Sequence, residues 1–252
     1  MQTIEFLIIA HRGESYDAPE NTFASINLAW ERDADAVEID VQLTKDEKIV
    51  LIHDKTTLRT GGKYKRIASN NYKELLKIDV GKFKDAKWKD ERIPLLDKVI
   101  DTIPKNKILF VEIKSDERII KPLQNLADKK NINPAQIKFI GFNIVTMKLL
   151  KDAFPEIGVY WIVEWKNYKS KDNLKETIRM CNSAKLDGLD VQARKYLNKD
   201  VIHLVKNSGL KIYTWTVDDP ERAQQLHSDG IDGITTNRAG WLKNKLIERN
   251  II

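Results

Sequence analysis

Glu38 and Asp40 stand two residues apart at the end of one apolar run, and Glu112 and Lys114 do the same at the end of another. Before and between them come His11-Arg12-Gly13 and His53-Asp54, which also close apolar runs. Successive side chains on a β-strand alternate between faces, so residues i and i+2 project together. Strands that merely face water or a core have no reason to end this way four times over. A divalent cation flanked by two imidazoles and two cationic side chains supplies one. Carboxylate oxygens suit hard cations such as Mg2+ and Ca2+, and three gathered without a cation would repel and raise one another's pKa. With no cysteine in the set and mostly oxygen donors, zinc and copper are disfavoured. Arg12 can hold two phosphate oxygens in a fork, while Lys114 acts as a point charge. Imidazoles titrate near neutrality, so His11 and His53 could serve as base and acid. The pattern predicts a metal-assisted enzyme acting on an anionic, phosphorylated substrate.

Short β-like runs that alternate with helical stretches must position these groups. The strands expected are Glu5–Ala10, Ala36–Leu43, Ile108–Lys114, Ile137–Phe142, Gly158–Val163, Leu186–Val191, Lys211–Thr216 and Gly233–Thr235. Between them fall the helices, the first over Thr22–Arg32 behind Asn21 as N-cap. Glycines such as Gly209 and Gly230 mark helix ends, where a left-handed residue is wanted. Eight βα units in 252 residues predict a (β/α)8 TIM barrel, with an open doubly wound sheet as the rival for the same alternation. One stretch breaks the rhythm. After a hairpin-like partner strand over Lys48–Ile52, residues 54–94 form a polar, lysine-rich excursion. In a barrel it would emerge at the catalytic mouth, because the βα loops lie there. We read it as part of one domain over 1–252, too poor in apolar surface to fold alone.

Composition narrows the class further. The chain carries 43 Lys+Arg against 37 Asp+Glu, a net charge of +6, and 42% hydrophobic residues. Its basic stretches are interspersed with acids, as solvated faces are, and not arrayed as a nucleic-acid stripe. The longest apolar stretch near the start, Phe6 to Ala10, is too short to span a bilayer. No basic leader precedes it, so no signal peptide, no stable membrane insertion and a cytoplasmic location are expected. Cys181, the only cysteine, reads as a small apolar helix residue. His203 and His227 fall on helices and read as structural or solvated.

Taken in order, His11-Arg12-Gly13, Pro19-Glu20-Asn21-Thr22, Glu38-x-Asp40, His53-Asp54, Glu112-x-Lys114 and Trp215-Thr216-Val217 resemble the glycerophosphodiester phosphodiesterase family over nearly the whole chain. The resemblance implies a (β/α)8 barrel, one divalent cation (Mg2+ or Ca2+), and hydrolysis of glycerophosphodiesters to glycerol 3-phosphate and an alcohol. It also implies that Glu38, Asp40 and Glu112 bind the metal, His11 and His53 do acid–base work, and Arg12 and Lys114 hold phosphate. Trp215 shares a strand face with Tyr213 and either walls a glycerol pocket or packs in the core. Asn21 could touch the site or simply cap its helix, and Glu20 could be an acid favoured by the helix dipole. Glu164, Trp165 and Gln192 follow strands at the mouth. The glycerol 2-hydroxyl could attack to give a cyclic phosphate, or water could attack directly. The rivals are a phospholipase on a similar barrel, a non-catalytic binding module and a nucleic-acid binder.

Two departures from the family pattern stand out. After His53-Asp54 the text Leu58-Arg59-Thr60-Gly61-Gly62 is shorter and lacks an aspartate. Thr235-Thr236-Asn237-Arg238 ends the last strand where aspartate and then proline are favoured, and Asn237 is expected to cap the last helix.

Overall fold

Alternation of apolar and chemically active residues along each strand dictates the architecture. A computed structural model describes residues 6–164 and 171–252. The parallel strands are β1 (Leu7–His11), β2 (Ala36–Leu43), β4 (Ile108–Ile113), β5 (Ile137–Gly141), β6 (Gly158–Val163), β7 (Gly188–Gln192), β8 (Lys211–Trp215) and β9 (Gly233–Thr236). β1 pairs with both β2 and β9, which closes the ring. The short β3 (Ile49–Leu51) runs antiparallel to the upper half of β2. The closed barrel bears out the expected fold and excludes the open sheet.

On β2, Val37, Ile39 and Val41 point outward into the large apolar layer beneath the helices, as do Leu109, Val111 and Ile113 on β4. The intervening residues point into the barrel. Its lower interior is filled by Leu7, Ile9, Phe110, Tyr160 and Tyr213 among others, and Tyr213 meets Phe110 and Tyr160 edge-on. Above this plug the inward positions are Glu38, Asp40, Glu112 and Asp190, at the carboxyl ends of strands. The barrel interior thus becomes polar where βα loops build active sites.

The helices are α1 (Phe23–Glu31), α2 (Leu58–Gly61), α3 (Tyr72–Leu75), α4 (Leu96–Ile100), α5 (Ile120–Lys130), α6 (Ile144–Ala153), α7 (Lys171–Ser183), α8 (Lys199–Lys206), α9 (Pro220–Ser228) and α10 (Ala239–Glu248). Helix α1 corrects one expectation: its N-cap is Thr22, which forms a capping box with Ser25, so Asn21 is left for another task. Helix α10 corrects a second, since it starts behind Arg238 and has no side-chain cap from Asn237. Past α8 and α9, Gly209 and Gly230 take left-handed φ values of +82° and +86° as expected. Cys181 is buried on α7, and burial pushes its thiol up to about 12. His227 packs its ring on Phe6, and His203 lies exposed on α8.

The excursion follows β3 and holds α2 and α3, and with Ile52 it builds an apolar cluster that includes Ile67, Leu75 and Ile93. Between Ser69 and Ile78 only Tyr72–Leu75 is α-helical. The return strand β3 carries His53 back beside the barrel mouth: the Ile52 N–H donates to the Asp40 carbonyl at 3.0 Å.

Candidate active site

β1, β2 and β4 are neighbours, and their register sets the site. His11 lies opposite Glu38, and Asp40 lies opposite Glu112. Glu38, Asp40 and Glu112 each bring a carboxylate oxygen within 4.8 Å of the others, and all three are buried. A cleft of about 220 Å3 opens above them, with His11, Arg12, His53 and Lys114 also on its walls. Ile140, Phe142, Ile162 and Trp215 give it an apolar side. All eight site residues expected from the sequence therefore meet in one cleft, except that Asp40 lies just beneath it.

Backbone conformation does part of the positioning. Arg12 adopts φ +57°, and its N–H donates to Glu38 Oε2 at 2.9 Å. Gly13 follows at φ +78°, where a Cβ would sit 2.5 Å from the carbonyl carbon of Ser25. Only glycine lets the turn press against α1 there. Asn21, also at positive φ, takes the Asp40 backbone N–H on its Oδ1 at 2.9 Å and donates Nδ2 to Asp40 Oδ2 at 2.8 Å. Its role is therefore to orient Asp40, not to cap α1.

Charges are arranged around the acids. Arg12 Nε lies 2.9 Å from Asp40 Oδ2, and Lys114 Nζ lies 2.6 Å from Glu112 Oε1 and 3.4 Å from Asp40 Oδ1. Burial alone would raise the Asp40 pKa, but Arg12 and Lys114 hold it below the ordinary range. Burial, Asp40 and Glu112 drive Glu38 well up, while burial and Asp40 push Glu112 up to about 7. Among the described residues Glu38 Oε1 is buried with no hydrogen-bond donor, and Asp40 Oδ1 has only the 3.4 Å approach of Lys114. Three crowded carboxylates, one with an orphaned oxygen, and an all-oxygen donor set fit a hard divalent cation.

Each imidazole is held by its Nδ1. His53 Nδ1 lies 2.7 Å from Asp54 Oδ1, and a carboxylate accepts only, so Nδ1 carries the hydrogen. Asp54 is gripped by Arg59 Nε at 2.7 Å, and Arg59 also reaches Glu20 at 2.6 Å. Hydrogen bonds from Arg59, then His53, hold Asp54 at about 2. Gln42, the next inward residue after Asp40, donates to the Ile52, His53 and Asp54 carbonyls at 3.1, 3.1 and 2.6 Å and pins that loop. His11 Nδ1 lies 2.7 Å from Asn237 Oδ1, and Asn237 Nδ2 donates to Asp218 Oδ2 at 2.7 Å, which fixes the amide's orientation. His11 Nδ1 is thus the donor, and Nε2 keeps its lone pair. Burial, then Arg12, lowers the His11 pKa and keeps the ring neutral.

Glu20 departs from the expected helix-dipole role: it lies ahead of α1 and bridges Arg12 and Arg59. Glu164 lines the cleft as its place after β6 suggested, whereas Gln192 takes Arg194 Nε at 2.9 Å. Trp165 lies outside the described residues. The sequence reading missed Gln42, Arg59, Asp190, Asp218 and the true role of Asn237. Inward parity with Asp40 could have found Gln42; the rest carried no local signal.

The model of the glycerophosphoryl diester phosphodiesterase family matches residues 11–241. The Bacillus subtilis protein YhdW is 31% identical over 238 residues, covering 91% of this chain and 93% of that one. A glycerophosphodiester phosphodiesterase of Caldanaerobacter subterraneus subsp. tengcongensis is 30% identical over 249 residues, covering 94% and 96%. Among solved structures, the Oleispira antarctica phosphodiesterase OLEI02445, in complex with the product sn-glycerol-3-phosphate, superposes with a TM-score of 0.85 at 26% identity, covering 96% of each chain.

Proposed function

This chain belongs to the glycerophosphoryl diester phosphodiesterase family of hydrolases, and we propose that it converts glycerophosphodiesters to sn-glycerol 3-phosphate and an alcohol, with one divalent cation, Mg2+ or Ca2+, held by Glu38, Asp40 and Glu112. The observation that carries this reading is the meeting of those three carboxylates, within 4.8 Å, beneath a cleft that both histidines line. When bound, the cation would neutralise phosphate charge and polarise its oxygens.

The protein's own groups do the rest. Arg12, braced by Glu20 and Asp40, and Lys114, braced by Glu112, present positive charge to the phosphate from two sides. Neutral His11, with Nδ1 engaged by Asn237, takes the proton of the glycerol 2-hydroxyl on Nε2 as that oxygen attacks phosphorus. His53, on the mouth side and oriented by Asp54, gives a proton to the departing alkoxide. The two rings then exchange roles as water opens the cyclic phosphate. Such proton transfers contribute about 10²–10⁴-fold each.

The test is release of glycerol 3-phosphate from a panel of glycerophosphodiesters, with EDTA and then Mg2+ or Ca2+ added back. Turnover lost to EDTA and regained with either ion supports the reading. A protein that cleaves no member of the panel under any of these conditions overturns it.

A further inference from the structure

Asp190 is buried at 3% exposure on β7, at an inward position of the barrel, and it lines the same cleft. Its register neighbours are Ile162 and Tyr213. Its Oδ1 is buried with no hydrogen-bond partner among the described residues. A buried polar oxygen without a partner costs free energy in the folded protein, so its presence calls for a ligand that supplies the missing bond.

Position around the barrel tells which ligand. β7 stands four strands from β2 in either direction, so Asp190 faces the acidic cluster from the opposite wall. Between the two walls one arc of the barrel is apolar, from Ile140 and Ile162, and the other carries Trp215 with Thr216 and Thr235. A phosphate held beside Arg12 and Lys114 would send one arm of the diester across this closed end and the other past His53 to the open mouth. The cleft, at about 220 Å3, is smaller than the roughly 300–1,000 Å3 of sites for drug-sized molecules. The short arm fits the closed end, and a head group of varying size must take the mouth.

We propose that Asp190 is the hydroxyl-recognising wall of the site, where its carboxyl hydrogen-bonds a hydroxyl of the glycerol moiety and so selects polyol phosphates over alkyl phosphates. This rests on the functional reading above and adds the residue that reads the substrate's polyol end.

Binding separates the two claims, because it needs no turnover. With the divalent cation present, calorimetry compares glycerol 3-phosphate with n-propyl phosphate, which has the same carbon chain without hydroxyls. The unsubstituted protein should prefer glycerol 3-phosphate by about 10–100-fold, the worth of one hydrogen bond to a carboxylate. Asp190→Ala should erase that preference, leave n-propyl phosphate binding within about threefold, and keep or raise the melting temperature, since an unpartnered carboxyl is removed. Should Asp190→Ala fail to fold, Asp190→Val, a better strand former, carries the same comparison. A variant that keeps the preference, or loses both ligands equally, overturns the proposal. So does an unsubstituted protein that shows no preference while it hydrolyses glycerophosphodiesters. Failure to hydrolyse any of them overturns the functional reading instead.

Discussion

Without a divalent cation the acidic cluster should make this protein less stable as the pH rises. Salt-bridged acids do the reverse. Glu112, buried beside Asp40, titrates at about 7 instead of its ordinary 4.5. Between those two values the folded chain binds a proton that the unfolded chain has lost, so stability is fully present below 4.5 and drains away as the pH approaches 7. The interval of about 2.5 pH units, at 1.36 kcal/mol per unit, is worth about 3 kcal/mol. For a chain of this size that is a fall of about 6–12 °C in melting temperature. Glu38 acts in the same direction, driven up by burial and by Asp40 and Glu112. His11 acts in the opposite direction, because its lowered pKa makes the folded chain bind fewer protons near 6.5.

A difference measurement isolates the cluster from such terms. Thermal unfolding in EDTA, followed from pH 5 to 8, is compared between the parent protein and Glu112→Gln, a neutral isostere. The parent should lose stability relative to the variant by about 2.5 kcal/mol across this range, since part of the loss falls below pH 5. Adding Mg2+ or Ca2+ at about 100 times its dissociation constant should restore about 2.7 kcal/mol to the parent. The restoration should grow with pH, since the ion competes with the proton. Parallel pH profiles for parent and variant, with no stabilisation by either ion, would refute the idea that these carboxylates repel one another around a cation site.

Other outcomes follow from the same geometry. His11→Ala and His53→Ala should each lower turnover by about 10²-fold or more while calorimetry still detects cation binding; activity within tenfold of the parent would count against the roles given to them. Arg59→Met releases Asp54 and Glu20 together, so kcat should fall by about tenfold, with KM for the diester changing less; an unchanged kcat would make the network merely structural. Asn21→Ala removes both hydrogen bonds that orient Asp40 and should weaken cation binding by about 10–100-fold, read by calorimetry. Gly13→Ala places a Cβ 2.5 Å from the Ser25 carbonyl carbon in a left-handed turn, and a shift in the urea midpoint worth more than about 2 kcal/mol is expected.

Strand parity made the centre of this site readable from the chain alone. Once β2 and β4 are taken as strands, period-2 alternation puts Glu38 with Asp40 and Glu112 with Lys114 without further assumption. Parallel pairing then brings the two pairs level, Asp40 opposite Glu112. The barrel's strand boundaries were legible to within about two residues for the same reason, since apolar runs end where the chain turns inward to the mouth. The excursion's place was legible, but its internal structure was not: its apolar cluster joins Ile52 to residues as distant as Ile93, and no short-range period encodes such contacts.

The groups that hold the reactive ones in place were hidden for a different reason. Asn237 has a side chain suited to capping, and local sequence favours that role, yet β9 and β1 are adjacent and bring it to His11 across 226 residues of chain. Asn21 likewise forgoes a local cap for Asp40, because Thr22 and Ser25 already satisfy the helix start. Arg59 lies on a loop helix and finds Glu20 only after the excursion folds over the mouth. In the sequence Asp190 is one polar interruption in a strand, and strands at a barrel rim carry many. What separates it from those is burial without a hydrogen-bond partner for Oδ1 among the described residues, opposite the acidic cluster, a property of ring closure and not of any window of sequence. The residues proposed to react sit at strand ends and announce themselves by type and spacing. The residues that hold them, and Asp190 on the far wall, are set by the closed barrel, which brings distant strands face to face.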